Sequence, residues 1–152
     1  MGIAKRRKKV MVFGAFDGLH PGHLNFFRQA KKYGDFLVVS IGLDDNVKKF
    51  KGKKPLFNED ERLDLVRSCS LVDKAVLGDK DEKDFFNHIK KERPHFICLG
   101  YDQWASQNYV KEELKKCGLL EIQVVRLSSW KPELAKSTRI KKRWTKGESP
   151  LL

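Results

Sequence analysis

The sequence predicts an α/β fold, in which a doubly wound parallel sheet of five strands carries helices on both faces. Two observations lead to this prediction. Short apolar runs rich in β-branched residues recur along the chain, as expected of strands buried on both faces of a parallel sheet. Segments with apolar residues at helical spacing separate these runs, and strands that alternate with helices form parallel sheets. The predicted strands span residues 10–13, 35–42, 72–78, 95–100 and 122–127.

The first predicted unit is a strand, a helix and a second strand. The apolar run 10–13 is followed by a loop and helix over 20–33, and Gly34 is the expected C-cap of that helix. The stretch 35–42 centres on apolar and β-branched residues, as in a buried parallel strand. Strand, helix and strand within about 30 residues form a right-handed βαβ unit.

The later helices are predicted from capping residues and periodicity. Asp44 is expected to cap a short helical turn, which a cationic loop over 51–54 follows. Asn58 with Glu61 three residues later forms a capping box, which predicts a helix to about Ser68. Three more helices are predicted at 81–91, 109–116 and 137–144.

The chain of 152 residues fits one domain with a buried core. We expect this domain over 9–144, with a basic N-terminal tail over 1–8 and a C-terminal tail over 145–152. No run of about eighteen apolar residues occurs, so no membrane-spanning helix is predicted. The basic residues of the first tail precede no long apolar stretch of the kind found in secretory signals.

The cysteines and the charge narrow the class of protein. Cys69, Cys98 and Cys117 form no C-x-x-C pair, so neither a zinc site nor a disulfide framework is predicted, and a cytoplasmic location is expected. The net charge of +12 favours anionic partners, either nucleic acid or phosphorylated small molecules. Apart from Trp144, the basic runs lack interleaved aromatic residues for base stacking, so nucleic-acid binding is not expected as the main function.

The stretch from Gly14 to His23 joins the first strand to the first helix, with Pro21 suited to the first helical position. Such a loop directs backbone N–H groups and the positive helix end toward one place, which favours an anion. His20 and His23 share one face of the helix start, and imidazoles donate hydrogen bonds to phosphate oxygens. Gly22 leaves room for a ligand near the backbone. The H-x-x-H pattern alone also fits a turn with two surface histidines.

The stretch reads G-A-F-D-G-L-H-P-G-H and resembles the G-x-F-D-x-x-H-x-G-H signature of the cytidylyltransferase-like nucleotidyltransferases. The resemblance covers roughly residues 9–143 and implies a Rossmann-like fold. It also implies that a substrate phosphate attacks the α-phosphorus of a nucleoside triphosphate and releases pyrophosphate. His20 and His23 would then be catalytic, binding the triphosphate and stabilising the transition state. The nucleotide would be lined by Gly14, Ala15, Phe16 and Asp17.

The same resemblance implies a cofactor and an assembly state. Mg²⁺, or another divalent cation, is expected to bridge the phosphates with few protein ligands, so no metal-ligating side chains are predicted. ATP or CTP is expected as co-substrate. A homodimer is expected, because dimers are common in this family.

Further site residues are predicted where strands end, because the carboxyl ends of parallel strands form the ligand crevice. The resemblance implies that Lys51, Lys54 and a catalytic Lys53 contact the β- and γ-phosphates; the alternative is a solvated loop. Asp102 follows the fourth strand and is expected to accept a ribose hydrogen bond or to fix a metal-bound water. Tyr101 beside it is predicted to bind the substrate.

Arg62 lies one turn into the predicted helix over 58–68, in an E-x-R arrangement. This arrangement resembles a family helix whose arginine reaches the substrate or the triphosphate, so Arg62 is predicted to bind substrate. Without the resemblance, a surface charge is the simpler interpretation.

Ser137 and Thr138 are expected to begin the last helix, with hydroxyl groups free to cap it or to hold phosphate. They resemble the end of the family motif R-T-x-G-I-S-T-[ST]-x-I. The upstream R-T-x-G part is missing, and residues 130–135 fill its place. The usual arginine clamp is therefore absent, or Lys136 or Arg139 replaces it. Arg139 is predicted to bind substrate.

The acceptor is predicted from three segments, 45–55, 72–78 and 99–103, which resemble archaeal-type FAD synthases. This resemblance implies ATP as donor and FMN as acceptor. The alternative is a CTP-dependent cytidylyltransferase for glycerol-3-phosphate or a related phosphoalcohol, which Trp104 and the Ser-Thr pair at 137–138 support. A third possibility is a non-catalytic nucleotide- or RNA-binding module, because a fold does not guarantee a function.

Overall fold

The computed structural model describes residues 7–81, 85–103 and 105–129. Its strands form one parallel sheet in the order β3-β2-β1-β4-β5. Each of the five predicted strands is confirmed to within two residues at either end. The strands are β1 (Lys9–Gly14), β2 (Phe36–Ile41), β3 (Lys74–Leu77), β4 (Phe96–Leu99) and β5 (Gln123–Arg126).

Helices connect these strands in the order expected of a doubly wound sheet. In the described residues they are α1 (Pro21–Lys31), α2 (Asp44–Lys51), α3 (Glu59–Arg67), α4 (Phe85–Glu92) and α5 (Gln107–Lys116). The capping box is confirmed, because Asn58 Oδ1 accepts a hydrogen bond from Glu61 N at 2.9 Å. None of the helices in the described ranges is long and apolar enough to cross a membrane. The predicted helix over 137–144 lies outside the described residues.

The core has two layers, because successive strand residues face opposite sides of the sheet. Val10 and Val12 of β1 face a cluster that includes Phe27 of α1 and Val66 of α3. Between them, Met11 faces a second cluster, which includes Ile89 of α4, Val110 of α5 and Leu114 of α5. Helices therefore cover both faces, as predicted.

The segment after β2 differs from its prediction. Asp44 does not cap a single turn but begins an eight-residue helix, α2, whose N-cap is Leu43. Acidic residues occupy its first turn and lysines its last, which opposes the helix dipole favourably at both ends. Lys51 is thus the last residue of α2 and not part of a loop. Gly52, with φ 76°, ends the helix in the left-handed conformation that glycine adopts without strain.

Gly34 has a different role from the predicted helix cap. Helix α1 ends at Lys31, with Lys32 as its C-cap, so Gly34 lies beyond the helix. A Cβ atom built on Gly34 would lie 2.5 Å from Lys8 O and 2.6 Å from Val10 Cγ2. Glycine is therefore required here because the backbone passes close to the start of β1.

Helix α5 also begins earlier than the sequence predicts. Its first residue is Gln107, two before the predicted start, because the Ser106 hydroxyl accepts a hydrogen bond from Tyr109 N at 3.0 Å. Serine is a favourable N-cap for this reason. Helix α4 is described from Phe85, while residues 82–84 of its predicted span lie outside the described residues.

Candidate active site

The candidate site lies where the chain leaves the ends of β1 and β4. These strands are neighbours in the sheet, yet α1 follows β1 on one face and α5 follows β4 on the other. Such a reversal opens a crevice at the carboxyl ends of the two strands, where doubly wound sheets bind ligands.

The loop after β1 has a tightly fixed backbone. Phe16 and Gly18 both have positive φ, 50° and 82° respectively. The Phe16 ring is buried and lies over Gly14, where a Cβ atom would approach Phe16 Cζ to 2.8 Å. Phe16 also packs edge-on against the His23 ring, with centroids 5.4 Å apart. The loop is therefore shaped by packing of Phe16 before any ligand binds.

The two signature histidines meet at the start of α1. Their rings stack with centroids 3.8 Å apart. His20 is the N-cap, and its Nδ1 accepts a hydrogen bond from Gly22 N at 3.1 Å. A neutral imidazole that accepts through Nδ1 carries its proton on Nε2, so His20 presents an Nε2–H donor.

The surroundings keep both imidazoles neutral. Burial lowers the pKa of His20 below its ordinary value of 6.5. Burial, with further contributions from His20 and from the positive charge of Lys51, lowers the pKa of His23 to about 3, although Asp17 opposes this shift. The buried His23 Nδ1 has no hydrogen-bond partner among the described residues. Unsatisfied polar atoms of this kind are rare and are expected at ligand sites.

Asp17 joins the signature loop, residues 14–23, to the segment before α3. Its carboxylate is only 5% exposed and accepts hydrogen bonds from Leu56 N at 2.7 Å and Phe57 N at 2.9 Å. Both oxygens are engaged by backbone amides of the protein itself. The geometry thus gives Asp17 a positioning role in place of the predicted direct contact with the nucleotide.

Arg62 completes this connection from the interior. Its side chain is fully buried, and the guanidinium donates to Phe57 O at 3.0 Å, Ala15 O at 2.7 Å and Asp44 Oδ1 at 2.7 Å. It therefore ties together the signature loop, the loop before α3 and the start of α2. Each of its three nitrogens is occupied, so the structure places Arg62 as a positioning residue, and neither the predicted substrate contact nor the surface charge describes it.

Lys51 approaches His23 from the end of α2. The charge of Lys51, at the end of that helix, is close enough to His23 to depress its pKa. Lys53 and Lys54 follow Gly52 and are exposed. The structure therefore brings Lys51 to the histidines, and it places Lys53 and Lys54 in the adjoining exposed turn.

The loop after β4 is held by two residues that the sequence analysis did not select. Arg126 donates to Gly100 O at 2.6 Å, to Gln103 O at 3.1 Å, and to Ala105 O. The Gln103 amide donates to Phe13 O and accepts from Gly100 N, each at 2.7 Å. The signal for Gln103 in the sequence is an amide residue in the short loop after a buried strand, at the edge where the crevice lies.

Tyr101 and Asp102, at the tip of this loop, are exposed. Both follow the C-terminal end of β4. The predicted site residues Ser137, Thr138 and Arg139, together with Trp104, lie outside the described residues.

The site offers no ready-made metal cage. Within residues 7–81, 85–103 and 105–129, no three His, Cys, Asp or Glu side chains converge as a metal site. The residues around His20 and His23 fit a divalent cation only when it arrives with a bound triphosphate. The triphosphate oxygens would supply most of the ligands of the cation.

Known proteins resemble this chain over most of its length. The model of the family described as "Cytidylyltransferase-like" matches residues 11–143. A protein named FAD synthase from Ferroglobus placidus is 42% identical over 134 residues, which is 88% of this chain and 85% of the relative. Another FAD synthase, from Aciduliprofundum boonei, is 45% identical over 122 residues, covering 80% of this chain and 79% of the relative.

Solved structures show the same architecture. The crystal structure of a lipopolysaccharide core biosynthesis protein from Thermoplasma volcanium superposes with a TM-score of 0.76 at 35% identity, covering 82% of this chain and 99% of that one. A pantoate-beta-alanine ligase from Francisella tularensis, at 17% identity and a TM-score of 0.59, shares the fold alone.

Proposed function

Because the chain belongs to the cytidylyltransferase-like family, we propose that it is an FMN adenylyltransferase, an FAD synthase that transfers AMP from ATP to FMN. The relatives named FAD synthase support this assignment, at 42% and 45% identity over most of the chain. The single structural observation that supports it best is the stacked His20–His23 pair at the N-terminus of α1.

The reaction needs positioning and charge stabilisation more than a protein nucleophile. A phosphate oxygen of FMN attacks the α-phosphorus of ATP, the bond from that phosphorus to the bridging oxygen breaks, and pyrophosphate leaves with the electron pair. The FMN phosphate is already a nucleophile, so the protein's task is to align the two reactants and to stabilise the charge that develops on the phosphoryl oxygens.

The histidine pair is suited to that task. The His20 ring lies at the positive end of α1, and donors fixed in advance cost no reorganisation during the reaction. An arriving triphosphate favours protonation of one ring of the pair, because nearby negative charge raises the pKa of a histidine. A pair that is neutral in the free protein thus becomes a stronger donor once the nucleotide binds.

We assign the remaining groups around this pair by their position. Lys51 approaches the histidines and would contact the β- and γ-phosphates together with Lys53 and Lys54. The backbone of residues 14–16 would line the nucleotide, with Ser137 and Thr138 as further phosphate contacts. Asp102 would accept a hydrogen bond from the ribose, while Tyr101 and Arg139 would contact the acceptor. Mg²⁺ carried by the triphosphate would neutralise part of its charge.

Pyrophosphate release tests the assignment directly. ATP and CTP are each combined with FMN and with glycerol-3-phosphate in the presence of Mg²⁺. We expect release only with ATP and FMN, accompanied by formation of FAD. Release only with CTP and glycerol-3-phosphate would establish the cytidylyltransferase alternative. Nucleotide binding by folded protein without release in any mixture would contradict both assignments.

A cytoplasmic location and a homodimer stay predictions.

A further inference from the structure

Three of the four strand pairs in the sheet end in the same way. In each, the residue after one strand donates its N–H to the last carbonyl group of the neighbouring strand, which extends the parallel hydrogen-bond ladder by one step. The three bonds run from Gly42 N to Gly14 O at 2.9 Å, from Gly78 N to Ile41 O at 2.7 Å, and from Leu127 N to Leu99 O at 2.8 Å.

The fourth pair, β1 with β4, ends differently. Its register aligns Val10 with Phe96 and Met11 with Ile97. Continued by two residues, this register would align Phe13 with Leu99, and Gly100 N would donate to Phe13 O. The Gln103 side chain occupies this place instead. Its Oε1 accepts from Gly100 N at 2.7 Å, and its Nε2 donates to Phe13 O at 2.7 Å.

We propose that Gln103 is a spacer that holds the C-terminal ends of β1 and β4 apart by the width of its amide group, and so sets the opening of the nucleotide crevice. A primary amide suits this position, because it has an acceptor on one side and donors on the other. The two backbone groups therefore stay hydrogen-bonded although the strands no longer meet.

Arg126 holds the backbone of the loop that places the Gln103 side chain between the strands. Its guanidinium donates to the carbonyl groups of Gly100, Gln103 and Ala105, so it fixes the loop on both sides of Gln103. Gln103 N also donates to Gly100 O at 3.2 Å, which closes a tight turn. The position of the amide is thus determined by the loop and not by the side chain alone.

The spacer lies directly at the candidate site. Phe13 is followed by Gly14, where the signature loop begins, and Gly100 is followed by Tyr101 and Asp102. A change in the distance between the two strand ends would therefore move the histidine-bearing loop relative to the loop after β4. A misplacement of about 1 Å in such a site can cost a hundredfold in rate. The inference rests on the proposed function only in taking this crevice as the nucleotide site.

Two substitutions separate a spacer from an ordinary structural residue. Gln103→Ala lets the strand ends close and form the missing Gly100–Phe13 bond, so we expect stability near that of the wild type and nucleotide binding weakened by about tenfold or more. Gln103→Met fills the space without hydrogen bonds, so we expect lower stability, because two backbone groups lose their partners, and nucleotide binding closer to the wild type. A merely structural role predicts that stability and binding fall together in both variants.

The closing of the strands is measured by NMR, through the scalar coupling across a hydrogen bond between the Gly100 amide nitrogen and the Phe13 carbonyl carbon. The proposal requires this coupling in Gln103→Ala and its absence in the wild type. Gln107→Ala is the matched control, because Gln107 Nε2 also donates to a strand carbonyl, Val124 O at 3.1 Å, but on the far side of β4. That control is expected to leave nucleotide binding unchanged.

Binding is measured with α,β-methylene ATP, which does not react, alongside KM and kcat for FAD formation. Wild-type affinity in folded Gln103→Ala, or absence of the Gly100–Phe13 coupling in that variant, would overturn the spacer proposal. If the wild type binds the analogue but makes no FAD, the proposed function fails, while analogue binding and the NMR coupling still decide the role of Gln103.

Discussion

The ring of His20 lies on the ring of His23 at 3.8 Å between centroids, and this stacking requires that at least one ring be uncharged. Two imidazolium ions at that distance would repel each other strongly outside bulk water. Burial lowers the pKa of both residues, and the charge of His20 lowers the pKa of His23 further. The free protein therefore holds a neutral pair that gains positive charge only when an anion arrives.

Replacement of His23 by alanine tests its catalytic role. We expect kcat for FAD formation to fall by about a hundredfold or more, the usual cost of a donor that stabilises a transition state. The melting temperature of the variant shows whether it is folded. His88→Gln is the matched control, because His88 lies outside the signature loop and pairs with Asp79, with 3.0 Å between Nε2 and Oδ2. This variant should keep wild-type turnover. Near-normal turnover in folded His23→Ala would refute the assignment.

The free energy of unfolding should fall as the pH is lowered below about 6.5, where histidine titrates in the unfolded chain. His23 ionises near pH 6.5 in the unfolded chain and at about 3 in the folded protein. Below pH 6.5 the unfolded state therefore binds a proton that the folded state does not. The free energy of unfolding falls by up to about 1.4 kcal/mol per pH unit until the pKa of the folded state is reached.

Urea unfolding of the wild type and of His23→Asn between pH 7.5 and 4, a range chosen to span this titration, isolates the contribution of His23 to that loss. We expect the wild type to lose more stability across the range than the variant. Parallel curves for the two proteins would show that His23 is not buried in its neutral form.

Arg62→Leu should be severely destabilising, although the position lies on a helix of mostly charged residues. The substitution leaves Asp44 without its ionic partner and Ala15 O and Phe57 O without their donors. Breaking a buried charge pair of this kind costs about 3–5 kcal/mol, and the partly exposed Asp44 places the expected loss near the lower value. Chemical denaturation measures the loss, and Arg28→Leu, on the exposed side of α1, is expected to change stability by under about 0.5 kcal/mol.

Two glycine substitutions distinguish close approach from backbone conformation. Gly34→Ala forces a methyl group against Lys8 O and Val10, which we expect to cost up to about 3 kcal/mol. Gly52→Ala meets no atom within 4 Å but must hold φ at 76°, which costs about 1 kcal/mol. Equal losses in the two variants, measured by urea unfolding, would mean that the start of β1 moves to accommodate the methyl group.

The sequence predicts the strands well because their signal is local. Residues 10–13 are apolar without interruption, 36–41 are apolar except for Ser40, and the Asn58–Glu61 cap depends on residues three apart. Helix α2 is longer than the sequence predicts, because Val47 is its only buried residue among charged neighbours and little periodicity is visible. The role of Gly34 is not visible in the local sequence, because its neighbours in the fold, Lys8 and Val10, are more than twenty residues away in the chain.

Within the candidate site, the loop that carries His20 and His23 was predicted from sequence, whereas the residues that hold it were not recognised as such. Arg62 and Asp17 act through backbone groups of distant segments, and no local pattern reveals which carbonyl or amide will face a side chain. Gln103 is the clearest case. Its function depends on the register between β1 and β4, which exists only after the sheet has formed.

The order of the strands divides the chain into two halves with little interlacing. β1, β2 and β3 all precede residue 78 and pair among themselves, while β4 and β5 follow residue 95 and pair with each other. Only the β1–β4 pairing joins the two groups. A genetic exchange between relatives in the segment between β3 and β4 would keep every other strand pair intact, so the histidine-bearing half can be inherited separately from the half that carries Tyr101 and Asp102.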